Sequence, residues 1–230
     1  MLVSEIFYTI QGEGALTGVP SVFVRTAGCN LRCRWCDTKY SSWDPEGQEM
    51  GIDEIVATIA LHPTRFCVIT GGEPMISKAI YELTRRLGEM DKHVTVETAA
   101  TVAPKGLVCS LASLSPKMSN SSPGDDVPAA LRESHEKTRL QPDVIREWID
   151  GYDFQLKFVV GSREDVDEVL GLLTGLERDI PPERVLLMPE GTEVSAIDTH
   201  SAVALEACEE YGFRYCDRLH IRLFGNTRGR

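Results

Sequence analysis

An α/β fold, an open, partial βα barrel with about six mostly parallel strands, is predicted by three observations. Short apolar runs alternate along the chain with segments of helical periodicity. The motifs "TGGEP", "ETAAT", "SPK" and "MPEG" each follow an apolar run, so a parallel sheet carries all four to its C-terminal rim, where such sheets bind ligands. About six runs are too few to close an eight-strand barrel.

The elements follow in order. "SVFVRTAG" (21–28) is a strand entering a cysteine loop, and Ile52, Ile55, Val56 and Ile59 share one helical face over 52–60. "RFCVITGGEP" (65–74) is a buried strand broken by two glycines, 77–90 is a helix, and 93–98 and 106–112 are strands. Residues 119–139 are polar and rich in Ser, Pro and Gly; they predict a mobile insertion, set around 119–147 in a single domain spanning 1–230. A short helix follows Pro142 over 143–149, then a strand over 153–160. Ser162 and Asp165 have capping-box spacing before a helix whose stripe is Val166, Val169, Leu170 and Leu173. A strand over 184–191, a helix over 195–212 capped by Ser195, and the short strand "FRYC" complete the pattern.

Composition sets bounds. The 230 residues are 26% charged and 42% hydrophobic, as in a globular protein with a sizeable core. A net charge of −11 argues against a nucleic-acid-coating surface, which needs a basic face. The first residues lack the basic and apolar regions of a signal peptide, and no apolar run reaches the ~18 residues of a membrane span. These features predict a cytoplasmic protein bound to neither membrane nor nucleic acid. In a reducing compartment the scattered Cys67, Cys109, Cys208 and Cys216 read as core packing.

The remaining three of the seven cysteines carry chemistry. Cys29, Cys33 and Cys36 have the spacing C-x3-C-x2-C. Structural zinc almost always takes four protein ligands, and no second pair of cysteines or histidines lies nearby. A cubane iron–sulfur cluster wants four thiolates; three leave one iron open to an exogenous ligand. Three thiolates therefore point to a catalytic cluster.

This cysteine pattern, with "GGEP" (Gly71, Gly72, Glu73, Pro74) after a later strand, resembles the radical S-adenosylmethionine enzymes. "EIFYTIQGEG", Arg25, "CDT", "TGGEP", "SPK" and "RLHIRLFGN" together resemble one family of these, the 7-carboxy-7-deazaguanine synthases, nearly end to end and most weakly over 119–152. The resemblance implies a lyase that contracts the ring of 6-carboxy-5,6,7,8-tetrahydropterin, with loss of ammonia, on the route to queuosine and related deazapurines. It implies a [4Fe–4S] cluster, S-adenosyl-L-methionine and Mg²⁺ as cofactors. A homodimer and a flavodoxin-type or other one-electron reductant are also implied. In this family the reduced cluster cleaves S-adenosylmethionine, and the resulting radical takes hydrogen from the substrate's saturated ring carbon.

Site residues follow from the resemblance. Cys29, Cys33 and Cys36 would ligate the cluster. Gly72, Glu73, Ser115, Pro116, Lys117, Met188, Pro189, Glu190 and Gly191 would bind S-adenosylmethionine. Ile10, Gln11, Gly12, Glu13, Thr70 and His220 would contact the pterin. Arg25 would clamp its carboxylate, since a planar fork suits bidentate binding. Thr38 would ligate Mg²⁺ alongside substrate oxygens and waters. Glu97 would face the same rim. Two departures stand out: the family often has Gln where this chain has Glu190, and some members place a C-terminal carboxylate where Asn226 falls here. Two other readings of the cysteines are an activase that installs a glycyl radical on a partner protein and a non-enzymatic electron-transfer module. Arg25 and "TIQGEG" favour a small-molecule pocket over the first, and the missing fourth cysteine counts against the second.

Overall fold

Alternation with period two sends successive side chains of a strand to opposite faces. In β7 (Phe154–Val160), Leu156, Phe158 and Val160 join the main core, whereas Lys157 and Val159 face a cavity on the other side. The computed structural model describes residues 1–229. Preceding β7 are β1 (Leu2–Ile10), β2 (Pro20–Thr26), β3 (Gln48–Glu49), β4 (Phe66–Gly71), β5 (His93–Thr98) and β6 (Leu111–Leu114); β8 (Val185–Pro189) and β9 (Arg214–Tyr215) follow it. The helices are α1 (Lys39–Ser42), α2 (Ile52–Ala60), α3 (Ala79–Glu89), α4 (Ala129–Thr138), α5 (Pro142–Gly151), α6 (Arg163–Gly175), α7 (Val194–Tyr211) and α8 (Leu219–Phe224).

The nine strands among the described residues form one open sheet in the order β3-β1-β2-β4-β5-β6-β7-β8-β9. From β2 to β9 every pairing is parallel; β1 and β3 are antiparallel additions. The strands read from the sequence are β2, β4 to β8 and, as the short run "FRYC", β9. β1, which that reading lacks, carries half-buried residues through most of its length and so has no clear apolar alternation. The strand expected at 106–112 starts only at Leu111, because Lys105 and Gly106 take positive φ (28° and 83°) and close a turn from Pro104 to Leu107.

Helices cover the apolar face. Ile55 and Ile59 of α2, Ile80, Leu83 and Leu87 of α3, and Val166 and Val169 of α6 are fully buried there. Each such aliphatic side chain contributes about 1.5–3 kcal/mol relative to exposure. The capping box at Ser162 and Asp165 is formed. Ser195 lies inside α7, whose N-cap is Glu193.

The polar segment is more built than its composition suggests. It holds a 3₁₀ turn at Ser119–Ser121, α4, and the start of α5. Its polar groups bond back onto the molecule: Ser119 reaches Glu168 of α6, and His135 of α4 is fully buried.

Candidate active site

The cysteine loop leaves the end of β2 through Gly28 (φ 101°). Cys29, Cys33 and Cys36 gather with Leu31, Trp35 and Ala99 around a cavity of about 120 Å³. All three are free thiols. Burial pushes the Cys29 thiol up to about 12 and the Cys33 thiol up to about 11, so thiolates here need a cation to form. The three sulfurs do not lie within 4.8 Å of one another. Zinc–thiolate bonds of about 2.3 Å would hold three sulfurs closer than that around one ion. Three separated thiols beside a cavity, with no fourth cysteine, fit a cubane with one open iron.

The "GGEP" turn is locked against this loop. Gly71 sits at φ 135°, and a Cβ on Gly72 would collide with the Gly28 carbonyl. The Glu73 amide donates to that carbonyl at 3.0 Å. Glu73 does not reach either cavity. Its carboxylate, 1% exposed, accepts from the Met75 amide (3.1 Å), the Thr98 hydroxyl (2.7 Å) and the Ala99 amide (2.8 Å). Burial dominates these donors and raises its pKa. Glu73 holds the turn together from behind.

Next to the thiol cavity, and sharing Trp35, Thr38, Gly72 and Lys117 with it, lies a larger cavity of about 410 Å³. Its walls come from the polar face of the sheet. Arg25 and Thr70 are register partners on β2 and β4. The Thr70 hydroxyl donates to Glu97 Oε2 at 2.9 Å, and Gln11 Nε2 donates to Glu97 Oε1 at 3.1 Å. Arg25 Nε donates to Glu5 Oε1 at 2.7 Å, which also accepts from the Tyr40 hydroxyl at 2.8 Å. One edge of the Arg25 guanidinium is thereby fixed beside the stacked rings of Phe7 and Phe23.

A buried ion network forms the far side. Lys157 Nζ lies 2.6 Å from Glu13 Oε2 and 3.8 Å from Glu97. Arg218 donates to Glu13 Oε1 at 3.1 Å, and to Asp37 and the Gly191 carbonyl. Burial opposes every one of these charges. Lys157 and Arg218 outweigh it at Glu13, whose pKa falls far below the usual carboxylate range, and the carboxylates raise both cations in return. Burial lowers the pKa of His220 and favours its neutral form. Its ring packs where Gly12 lacks a side chain; a Cβ there would run into it.

Glu13, Asp37 and His220 offer ligand atoms within 4.8 Å of one another, the only such metal-sized group among the described residues. Both Glu13 oxygens and one Asp37 oxygen are already bonded to Lys157 or Arg218, so a divalent ion there would compete with fixed cations. The Thr38 hydroxyl lies 3.9 Å from Cys36 Sγ and borders both cavities.

Ile10, Gln11, Gly12, Glu13, Arg25, Thr38, Thr70 and His220 line the larger cavity, as do Gly72, Ser115, Lys117 and Met188. Pro116, Pro189, Glu190 and Gly191 do not line it. Glu190 turns its carboxylate to Arg34 at 3.7 Å, and the Gly191 carbonyl is taken by Arg218. Sequence reasoning missed Asp37, Lys157 and Arg218. A lysine inside the apolar run "FQLKFVV" was a signal, since lysine is buried only when paired. Asn226, Thr227 and Arg228 also border the cavity.

Comparison with known proteins bears on this arrangement. The Radical SAM superfamily pattern matches residues 23–120. A 7-carboxy-7-deazaguanine synthase from Rhodopirellula baltica is 42% identical over all of this chain and 88% of its own length. The chain belongs to the 7-carboxy-7-deazaguanine synthase family. A second 7-carboxy-7-deazaguanine synthase, from Halobacterium salinarum, is 39% identical over 98% of this chain and 91% of its own. The crystal structure of QueE from Escherichia coli superposes with a TM-score of 0.71 at 25% identity, covering 95% of this chain and 94% of that one. Membership in the 7-carboxy-7-deazaguanine synthase family implies a [4Fe–4S] cluster and S-adenosylmethionine, and the free thiols beside a glycine-walled cavity suit both.

Proposed function

We propose that the protein contracts the ring of 6-carboxy-5,6,7,8-tetrahydropterin to 7-carboxy-7-deazaguanine with loss of ammonia, as a radical S-adenosylmethionine lyase of deazapurine biosynthesis. The observation that carries this reading is the junction of the thiol cavity with a cavity bearing an arginine, a carboxylate bonded to a buried amide, and a glycine-rich loop. That is a place for a cluster beside an anionic, polar heterocycle. A surface suited to a protein substrate is not needed to explain it.

The chain's own residues divide the work. Cys29, Cys33 and Cys36 would hold three irons, and the backbone beside Gly72, with Ser115, Lys117 and Met188, would seat S-adenosylmethionine. Together cluster and cofactor supply one-electron cleavage and hydrogen-atom abstraction. Arg25, steadied by Glu5, would take the substrate carboxylate on its remaining N–H groups. Gln11 and Glu97 would read the donor and acceptor edge of the heterocycle. Thr38, beside Asp37, would ligate Mg²⁺ together with substrate oxygens. Lys157 and Arg218 keep Glu13 and Asp37 ionised, and burial favours neutral His220 beside them. Phe7, Phe23, Trp35 and Met188 exclude water.

A one-electron reductant of the flavodoxin type, a homodimeric assembly and a cytoplasmic location complete the proposal. No helix among the described residues is long and apolar enough to cross a membrane. Anaerobic reconstitution followed by turnover with S-adenosylmethionine, the carboxypterin and a reductant tests the reading. The expected products are 7-carboxy-7-deazaguanine and ammonia, both dependent on S-adenosylmethionine and both abolished by Cys33→Ala. Cofactor cleavage that leaves the pterin intact would overturn it in favour of another radical enzyme.

A further inference from the structure

The helix of the polar segment reaches into the cysteine loop. His135 Nδ1 accepts the Arg32 amide at 3.0 Å, and His135 Nε2 lies 3.2 Å from Ser121 Oγ. The Ser121 hydroxyl is itself committed, donating to the Met118 carbonyl at 2.7 Å. An amide donor fixes a lone pair on Nδ1, and a committed hydroxyl must accept at Nε2. Only the neutral tautomer protonated at Nε2 satisfies both. The Arg34 amide, meanwhile, donates to the Ser121 carbonyl at 3.0 Å.

Arg32 and Arg34 are the two neighbours of Cys33. Their amides are thus both held by the 119–138 segment, one by a side chain on α4 and one by the 3₁₀ turn that this side chain supports. The same helix end braces a second wall of the site: Arg139 Nη1 donates to the Lys117 carbonyl at 3.0 Å. His135 is fully buried, and neither it nor any other residue of α4 lines the cavities. Its side chain makes contacts that serve the loop and not a ligand.

We propose that His135 is a positioning residue for the iron–sulfur cluster: through the amides on either side of Cys33 it sets the spacing of the three thiols before any iron arrives. This rests on the assignment of the cluster to Cys29, Cys33 and Cys36. A loop fixed in advance loses less conformational freedom on loading and opens less often to release iron. A merely space-filling role would be met by any ring of similar size; an acceptor role would not.

Wild-type, His135→Phe and His135→Asn proteins separate the two. Asparagine offers its Oδ1 close to the position of Nδ1, and phenylalanine offers volume alone. After anaerobic reconstitution, iron release to a chelator should be about tenfold faster in His135→Phe, the scale of one lost buried hydrogen bond, and within about threefold of wild type in His135→Asn. The electron paramagnetic resonance signal of the reduced cluster should broaden in the phenylalanine variant only. In metal-free wild-type protein the Arg32 amide should be protected from hydrogen exchange, a measurement that stands whether or not the phenylalanine variant folds. Free exchange of that amide in wild type overturns the proposal, as does a phenylalanine variant with wild-type iron retention and spectrum. A wild-type protein that takes up no [4Fe–4S] complement would instead strike the cluster assignment itself.

Discussion

The two ends of the site are charged in opposite ways. At the thiol end, buried Cys33 and half-buried Cys29 and Cys36 sit among Leu31, Trp35 and Ala99, and desolvation holds Cys29 and Cys33 in the neutral form. At the substrate end, carboxylates and cations are paired: half-buried Glu13 and Asp37 with buried Lys157 and Arg218. One end leaves its charge balance to a cofactor that brings iron; the other has completed it within the chain. Loss of a partner should therefore act on cofactor loading at the first end and on folding itself at the second.

The largest effect expected from this contrast is at Lys157, 4% exposed. Lys157→Met strips a buried cation from Glu13 and should destabilise the metal-free protein by about 3–5 kcal/mol in urea unfolding. Adding Glu13→Gln should recover much of that loss; no recovery would break the claim that the end is internally balanced. The sign with pH follows. Glu13 is held below its ordinary 4.5 and Lys157 above its ordinary 10.5, so the pair's stabilisation is complete between those values. It is lost as falling pH protonates Glu13, or as rising pH deprotonates Lys157.

A smaller effect belongs to Arg25, whose Nε edge is occupied by Glu5. Arg25→Lys should weaken carboxypterin binding by about 1–3 kcal/mol and leave S-adenosylmethionine binding unchanged, as titration calorimetry would record. Equal losses for both ligands would place Arg25 outside the substrate end.

The smallest is at Thr38, on the border of the two cavities. Thr38→Ala should raise the Mg²⁺ concentration needed for half-maximal turnover by roughly tenfold without lowering iron content. Unchanged Mg²⁺ dependence would remove Thr38 from the metal's coordination.

What could be read in the sequence was local. The thiols lie within one loop, and a glycine pair after an apolar strand is visible as a string, so the cluster end and the βα rhythm were both legible. The substrate end depends on distance. Lys157 meets Glu13 across 144 residues, and Arg218 meets Asp37 across 181 and Glu13 across 205. No periodicity encodes such pairings: Glu13, Asp37 and Arg218 lie in the segments after β1, β2 and β9, and only the folded sheet brings those segments together with β7. Glu73 misled for a related reason. Its motif fixed its place in the chain, whereas the three donors around its carboxylate turn it away from both cavities. The polar segment misled because composition records how many groups want hydrogen bonds, not that the rest of the fold supplies them.

The grip of α4 on the cysteine loop has a consequence for how this protein can change over generations. The loop groups held by α4 and the 3₁₀ turn before it are main-chain amides, at Arg32 and Arg34. Every residue except proline carries that donor, so these two hydrogen bonds do not depend on the side chains at 32 and 34, although the Arg32 guanidinium also bonds the Cys29 and Leu31 carbonyls. Selection is then concentrated on the acceptor side, at position 135 and on the backbone of the short turn. Because α4 lines neither cavity, substitutions on its outward face can accumulate without altering which heterocycle is accepted. Retention of iron and choice of substrate can be inherited, and engineered, as separate traits.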